Sequence, residues 1–520
     1  MTLTDSGILG DHVLSTWQSE RRKLHRGCQT FPTEKRLTAV QASWPVQNMA
    51  TQTGLRGPSI VDGLSLQRMA CITEAALIEN ADSGADIFLG PQNFYGLDDG
   101  NIELLFTLRP AGDAWSKTSP ALAHERPSLG SLKCTGLSWN ATGLVLAAAY
   151  GRKDLRGWCD HPGALCTWNI KQQVSDSFNQ TSSITLDNCL MCIAFHPLQP
   201  DIIAGGTFNG EIYVWDLSKD DPQIAVSGAT YVCHSEPITQ VAWYHSGKES
   251  GICSSSKDTF QIISTSTDGQ ILLWSADNLN QPLYGYSILY PRSHSSRAQY
   301  WGGTCMDVPA NTKDHSTIIV GTEGGTVYRC GLQFTQKSIN DFSRQVKDSG
   351  LLTNSCREGK LKLLSPIKSQ HEPHVGPVHC IKFSPFDERV FMTCGYDGFV
   401  CIYNDVQAKP ILRLEPSEMQ ILCAGWSPSR PLVIAVGVEG GRIFIFDVQR
   451  SMLHPTAAVD ASEEGNPIFA MAFNHQKRQY YACSDGVHVK IFQLGSNYTK
   501  ERILERKQLA RLAQSAGGDV

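Results

Sequence analysis

Long apolar runs are missing from this 520-residue chain. The longest, residues 144–150, falls far short of the ~20 residues a membrane-spanning helix needs. Residues 1–10 have neither a basic start nor an apolar centre, so no secretory leader is expected. Charge is sparse as well. Lys and Arg number 45 and Asp and Glu 50, a formal net charge of −5 at pH 7. That balance argues against a protein held on nucleic acid or anionic lipid by bulk charge. The 17 cysteines are too few for a small disulfide scaffold. Those at Cys189, Cys192, Cys380 and Cys423 lie inside apolar, strand-like runs, where a thiol reads as a small buried hydrophobe in a reducing compartment. A soluble intracellular protein is expected.

Catalytic and metal-binding signatures are lacking too. There is no Gly-x-x-x-x-Gly-Lys phosphate loop and no Gly-x-Ser-x-Gly nucleophile elbow. Cys189 and Cys192 have the C-x-x-C spacing of a metal or redox site. However, three residues along a strand puts them on opposite faces, and no second pair lies nearby. His234, His371 and His374 precede strand-like runs, where such residues brace a neighbouring turn. The pairs Asp220–Asp221 and Glu463–Glu464 read as solvated loop charge. No catalytic residue, metal ligand or cofactor is therefore assigned, and the chain is expected not to be an enzyme.

What the chain does have is 41% hydrophobic residues, enough for a large core, and a repeat over residues 131–494. Each copy has a strand-like run ending in an aromatic, a second apolar run, a Gly-containing turn, and an alternating run that usually closes on an aromatic. The turns are Asn209–Gly210, Asp268–Gly269, Gly324–Gly325, Asp397–Gly398, Gly440–Gly441 and Asp485–Gly486, read as two-residue hairpins with positive φ. With a first copy whose hairpin loop is longer, the closing positions are Trp168, Trp215, Trp274, Cys330, Tyr403, Phe446 and Phe492. The shortest spacings between them match the ~40–45 residues of a WD repeat. Residues 248–258 and 331–372 read as insertions. Seven such copies predict an all-β, seven-bladed propeller rather than a sandwich. Residues 103–109 have strand-like composition and are expected to close the ring as the outer strand of the last blade, with a plain linker as the alternative.

Residues 1–58 carry few apolar runs and read as a disordered tail. Two short stretches stand out: residues 27–32, GCQTFP, and 49–54, MATQTG. Extended segments of this kind can add a strand to a partner's sheet edge, although Gln-Thr pairs also arise by chance. Residues 59–82 hold a predicted amphipathic helix with Leu66, Met69, Thr73 and Leu77 on one stripe; it either packs on the propeller or docks on a partner. Residues 83–130 read as a linker carrying the closing strand. Residues 495–520 form a C-terminal extension, helical near 500–513 and expected to be solvated.

The repeats resemble those of dynein intermediate chains. The motifs that carry this are residues 194–206, AFHPLQPDIIAGG, with 209–216, NGEIYVWD, and 235–243, SEPITQVAW, with 266–274, STDGQILLW. Residues 320–328, VGTEGGTVY, 376–385, GPVHCIKFSP, and 426–431, WSPSRP, are similar to later repeats of that family. The departures are Cys330, Tyr403, Phe446 and Phe492 in place of Trp. The first repeat (136–143, GLSWNATG, with 147–152, AAAYGR), the short tail and its two Gln-Thr motifs resemble most the shorter intermediate chain of the second cytoplasmic dynein, the motor of retrograde intraflagellar transport.

The resemblance implies a non-catalytic scaffold in the cytoplasm, on the cytoskeleton, and in the cilium or flagellum with its basal body. Cys28, Gln29, Thr30, Thr51, Gln52 and Thr53 would then bind light chains of the small hub and Tctex types. The helix bearing Leu66 to Leu77 would dock a roadblock-type light chain, and the propeller would clasp the motor heavy chain. A second intermediate chain and intraflagellar-transport particles complete the implied partners; nucleic acid and membrane insertion are not among them. Gln29 and Gln52 are 23 residues apart, about 76 Å when extended at ~3.3 Å per residue, enough for two light-chain dimers in tandem. The alternatives are an intermediate chain of an axonemal or general cytoplasmic dynein, or a WD-repeat adaptor of a non-motor complex.

Overall fold

The computed structural model describes residues 102–110, 132–153, 159–172, 180–227, 233–245, 260–288, 301–309, 317–332, 363, 365–405, 407–502 and 504–514. They form seven four-stranded antiparallel sheets arranged as the blades of a propeller. Blade 1 comprises Lys133–Trp139, Val145–Gly151, Gly163–Asn169 and Ser182–Leu186. Blades 2 to 6 repeat that order over residues 190–226, 238–287, 303–371, 378–414 and 421–460. Each blade's first strand touches the first strand of the next, and that of blade 7 touches that of blade 1, so the ring closes around them.

The closure comes from outside the repeats. Blade 7 takes Met471–Phe473, Tyr480–Asp485 and His488–Leu494 from the end of the repeat region. Its outer strand is Ile102–Leu108, antiparallel to His488–Leu494 with Leu104 opposite Phe492. Leu108 is fully buried with Leu132 and Trp168 of blade 1, which ties this early strand to both sides of the joint.

The core is divided in the same way. Seven clusters of buried side chains occupy the seven junctions between neighbouring blades, the one at blades 7 and 1 included. A sheet wedged between two others buries both faces, so its middle strands read as continuous apolar runs. Val145–Gly151, VLAAAYG, is the clearest case. The seven closing residues, Trp168 to Phe492, all lie on third strands and are at most 4% exposed.

The junctions are stitched by a recurring irregularity. In blades 1 to 6 the first strand shifts register near its start, for example between Cys134 and Gly136 or between Gly303 and Cys305. A bulge re-aims side chains, and here it turns them to the next blade. Thr135 Oγ1 donates to Leu190 O at 2.7 Å, Thr239 Oγ1 to Gly303 O at 2.8 Å, and Thr304 Oγ1 to Val378 O at 2.6 Å. Tryptophans at or near the ends of these strands reach the other way. The indole N–H groups of Trp139, Trp243 and Trp426 donate to Ala472 O, Ala194 O and Lys382 O of the preceding blade at 2.9–3.0 Å.

Three readings of the sequence need correction. The hairpins of blades 2 to 6 are not two-residue turns with positive φ at both central positions. Only the glycine is positive, as at Gly210 (φ 86°), whose N–H bonds Thr207 O at 3.3 Å. That is a turn of type I closed by a bulged glycine. A Cβ on Gly210 would meet His234 O at 2.3 Å, so the next blade also demands glycine there. The insertion read over 331–372 contains the fourth strand of blade 4, Ile367–His371, which shows only one apolar residue because its side chains are mostly exposed. The C-terminal helix, finally, is not a solvated extension; its packing is described below.

Candidate interaction surfaces

Because the strands alternate in direction, each blade's hairpin between second and third strands lies at one end of the ring. The loop leading from the preceding blade lies at that end too. Blade 3 is braced there: His234 Nδ1 lies 3.1 Å from Asp268 Oδ2, His234 Nε2 lies 2.8 Å from Ser264 Oγ, and Trp274 Nε1 donates to that hydroxyl at 2.9 Å. Blade 5 repeats the brace with His374, Asp397 and Thr393 at 2.9 and 2.7 Å. Burial works to raise the Asp397 carboxyl, but the hydrogen bond and charge of His374, together with the backbone N–H groups of Val375 and Phe399, hold it below the usual carboxylate range. In blades 1 and 2 the position of Ser264 is taken by Ala148 and Gly205. The buried indole N–H groups of Trp168 and Trp215 accordingly find no partner among the described residues. His371 takes no part in a brace: it ends the fourth strand of blade 4 and stacks edge-on against Phe391 and Tyr403.

A polar pocket of about 260 Å³ is lined by Asp160, Pro162, Asp187 and Asn188, below the ~300–1,000 Å³ usual for ligand sites. Among the described residues no three His, Cys, Asp or Glu side chains are grouped so as to hold a metal. Cys189 packs with Cys159 and Phe208, whereas Cys192 Sγ faces Ile238 O of blade 3. Burial pushes the thiols of Cys134, Cys166, Cys189 and Cys192 up to about 12. A hydrogen bond with its cross-strand neighbour Cys394 draws Cys380 the other way.

The opposite end of the ring is covered in part by the chain's own C-terminal segment. After the last strand of the repeats, a short helix, Ser496–Thr499, leads into the helix Glu505–Gln514. Glu505, Leu509 and Ala513 repeat every four residues, which aligns them on one helical face, and all three are buried. Leu509 and Ala513 join the core of blades 5 and 6. Asn404 Nδ2 donates to Ala513 O at 3.2 Å. Arg430, in the loop between the first and second strands of blade 6, is fully buried. It donates to Glu505 Oε1 through Nε at 2.9 Å and through Nη2, to Asp447 Oδ2 at 2.9 Å, and to Asn497 O at 2.6 Å. The sequence showed the helix; its weak apolar face concealed that a buried cation was waiting for Glu505.

The two ends differ in what they expose. At the braced end Val375 is 81% and Met419 50% exposed, beside Glu418 and Glu439. At the other end Met452, Leu453 and Leu504 are 42%, 73% and 55% exposed. The residues predicted to bind light chains, Cys28, Gln29, Thr30, Thr51, Gln52 and Thr53, lie outside the described residues. So do Leu66, Met69, Thr73 and Leu77 of the predicted docking helix.

The chain is similar to several known proteins. The sequence model of the family described as "Dynein axonemal intermediate chain 3 WD40 domain" matches residues 351–487. "Cytoplasmic dynein 2 intermediate chain 2" of Mus musculus is 33% identical over 391 residues, 73% of this chain and 69% of that protein. Its Homo sapiens counterpart is 31% identical over 392 residues, covering 74% and 69%. "Cytoplasmic dynein 1 intermediate chain" of Drosophila melanogaster is 23% identical over 406 residues, covering 75% and 51%.

Proposed function

The chain belongs to the dynein intermediate chain family, and from that premise we propose that it is a non-catalytic subunit of the second cytoplasmic dynein. The observation that carries this reading is the 33% identity to a dynein 2 intermediate chain over about three quarters of the sequence. In that role the propeller holds the motor heavy chain, and the tail gathers light chains through Gln29 and Gln52 and through the helix around Leu66 to Leu77. Two light-chain dimers on one tail would pair it with the tail of a second intermediate chain, by effective concentration rather than by any single strong contact. The assembly would carry intraflagellar-transport particles back along ciliary microtubules, placing the chain in the cytoplasm, at the basal body and in the cilium or flagellum.

The architecture supports such a role because its side chains are spent on joining blades. Copurification of the tagged full chain with a dynein heavy chain tests the assignment, and a heavy chain of another dynein class, or none, overturns it. Replacing Cys28, Gln29 and Thr30 together with Thr51, Gln52 and Thr53 by Ala is expected to remove the light chains while the heavy chain is still recovered. Unchanged light-chain recovery would refute the tail assignment alone.

A further inference from the structure

Eight large apolar side chains are exposed among the described residues, and three of them are attached to one point. That point is Asp447, at the end of the third strand of blade 6. Its carbonyl oxygen accepts the N–H groups of Arg450 and Ser451, each at 2.9 Å, and so fixes the turn that displays Met452 and Leu453. Its carboxylate bonds Arg502 Nη1 at 3.2 Å and so fixes the segment that displays Leu504.

Leu504 carries a second, independent signal. Its φ is +76°, a left-handed conformation otherwise confined to glycines among the described residues. A leucine held there is strained, and strain persists where surroundings over-determine the backbone and a role requires it. Here Glu505, the next residue, is clamped by the buried Arg430. The clamp does not draw Leu504 into the core; it leaves the side chain 55% exposed.

Of the Lys, Arg, Asp and Glu side chains on the C-terminal segment and the Met452–Leu453 turn, those left without an ion pair among the described residues are all basic. Lys507 and Arg511 stand one turn apart on the open face of the C-terminal helix, and Lys500 and Arg450 lie close in sequence to Leu504 and Met452. All four are exposed and none is ion-paired among the described residues. Arg506, also on the helix, is already matched by Glu501 at 2.6 Å.

We infer that this patch, at the end of the ring away from the braced hairpins, docks an acidic amphipathic segment of a partner protein, its apolar side chains meeting Met452, Leu453 and Leu504 and its carboxylates meeting the lysines and arginines. A short protein segment meets only the local basic charge. An anionic lipid surface would face the net charge of −5 of the chain as a whole. The inference rests on the chain being an assembly subunit, and it adds the chemistry and place of one contact.

A photo-crosslinking residue, p-benzoylphenylalanine, is placed in the full chain at Leu453, and in a separate control at Val375 on the opposite end. The expected adduct at Leu453 contains a peptide in which Asp and Glu flank apolar residues at helical spacing, absent from the Val375 control. Lys507→Glu with Arg511→Glu should lower its yield about ten-fold without moving the thermal midpoint, since truncating such contacts acts on binding. Adducts with non-acidic peptides, equal adducts at both positions, or no adduct overturn the inference. So does binding of the full chain to phosphatidylserine vesicles that the same two substitutions abolish. Heavy-chain recovery is measured in parallel on the unsubstituted protein. Its loss would refute the motor assignment while leaving the adduct's sequence to decide this contact.

Discussion

Arg430 and Glu505 are separated by 75 positions, yet the guanidinium of one grips a single carboxylate oxygen of the other through two nitrogens, and neither side chain is exposed to solvent. The pair fastens the C-terminal helix across blades 5 and 6.

Breaking one partner of a buried pair leaves the other charge uncompensated, at a cost of ~3–5 kcal/mol. Glu505→Ala is expected to lower the thermal midpoint clearly, and removal of residues 495–520 to lower it at least as far. Glu501→Ala, which frees only the exposed Arg506, serves as the control and should leave the midpoint where it is. Scanning calorimetry of the three variants checks this.

Ring closure depends on residues 102–108. A chain starting at residue 125 is expected to unfold at markedly lower urea concentration, because the last blade loses its outer strand and the junction with blade 1 loses Leu108. Leu108→Ala in the full chain isolates that residue, with an expected loss of ~2–5 kcal/mol. Coincident unfolding curves for full and shortened chains would show that the strand does not close the ring.

Ser264 satisfies two buried nitrogens at once, His234 Nε2 and Trp274 Nε1. Ser264→Ala orphans both, and each costs ~1–3 kcal/mol. Ala148→Ser in blade 1 is the converse experiment: it offers a hydroxyl to the unpartnered Trp168 indole and should not lower stability. Denaturant melts of both variants measure the difference.

Asp397 gives a dependence on pH whose sign is fixed. Its folded pKa is depressed, so the stability it contributes is present above the unfolded value of ~3.9 and is lost as pH falls through the folded value. Asp397→Asn is therefore expected to lower the midpoint at pH 7 and to flatten its decline below pH ~4. Melts at pH 7, 5 and 3 read both effects.

The parts of the fold legible in the sequence are those built from near neighbours. A hairpin such as Ile202–Thr207 with Ile212–Asp216 is declared by its turn glycine, its alternating apolar residues and the aromatic that ends it, all within fifteen residues. The outer strands were harder to read. Gln223–Val226 and Ile367–His371 are pinned to a blade on one side only; the first is just four residues long and half exposed, and the second shows one apolar residue. The bulge residues Thr135, Thr239 and Thr304 look like ordinary strand threonines until the next blade's carbonyl is in place.

The sequence by itself determined that seven similar hairpin units exist and to which family they belong, because turn chemistry and side-chain alternation act over a few residues. Only the tertiary structure decided what makes the units one object. It turned Thr135 onto the Leu190 carbonyl of the next blade, gave Arg430 its carboxylate from the C-terminal helix, and held Leu504 strained and exposed on a segment tied to Asp447 through Arg502. Those relationships join residues far apart in the chain, and a buried charge or an unpaired strand edge acquires its partner only when the ring has closed around it.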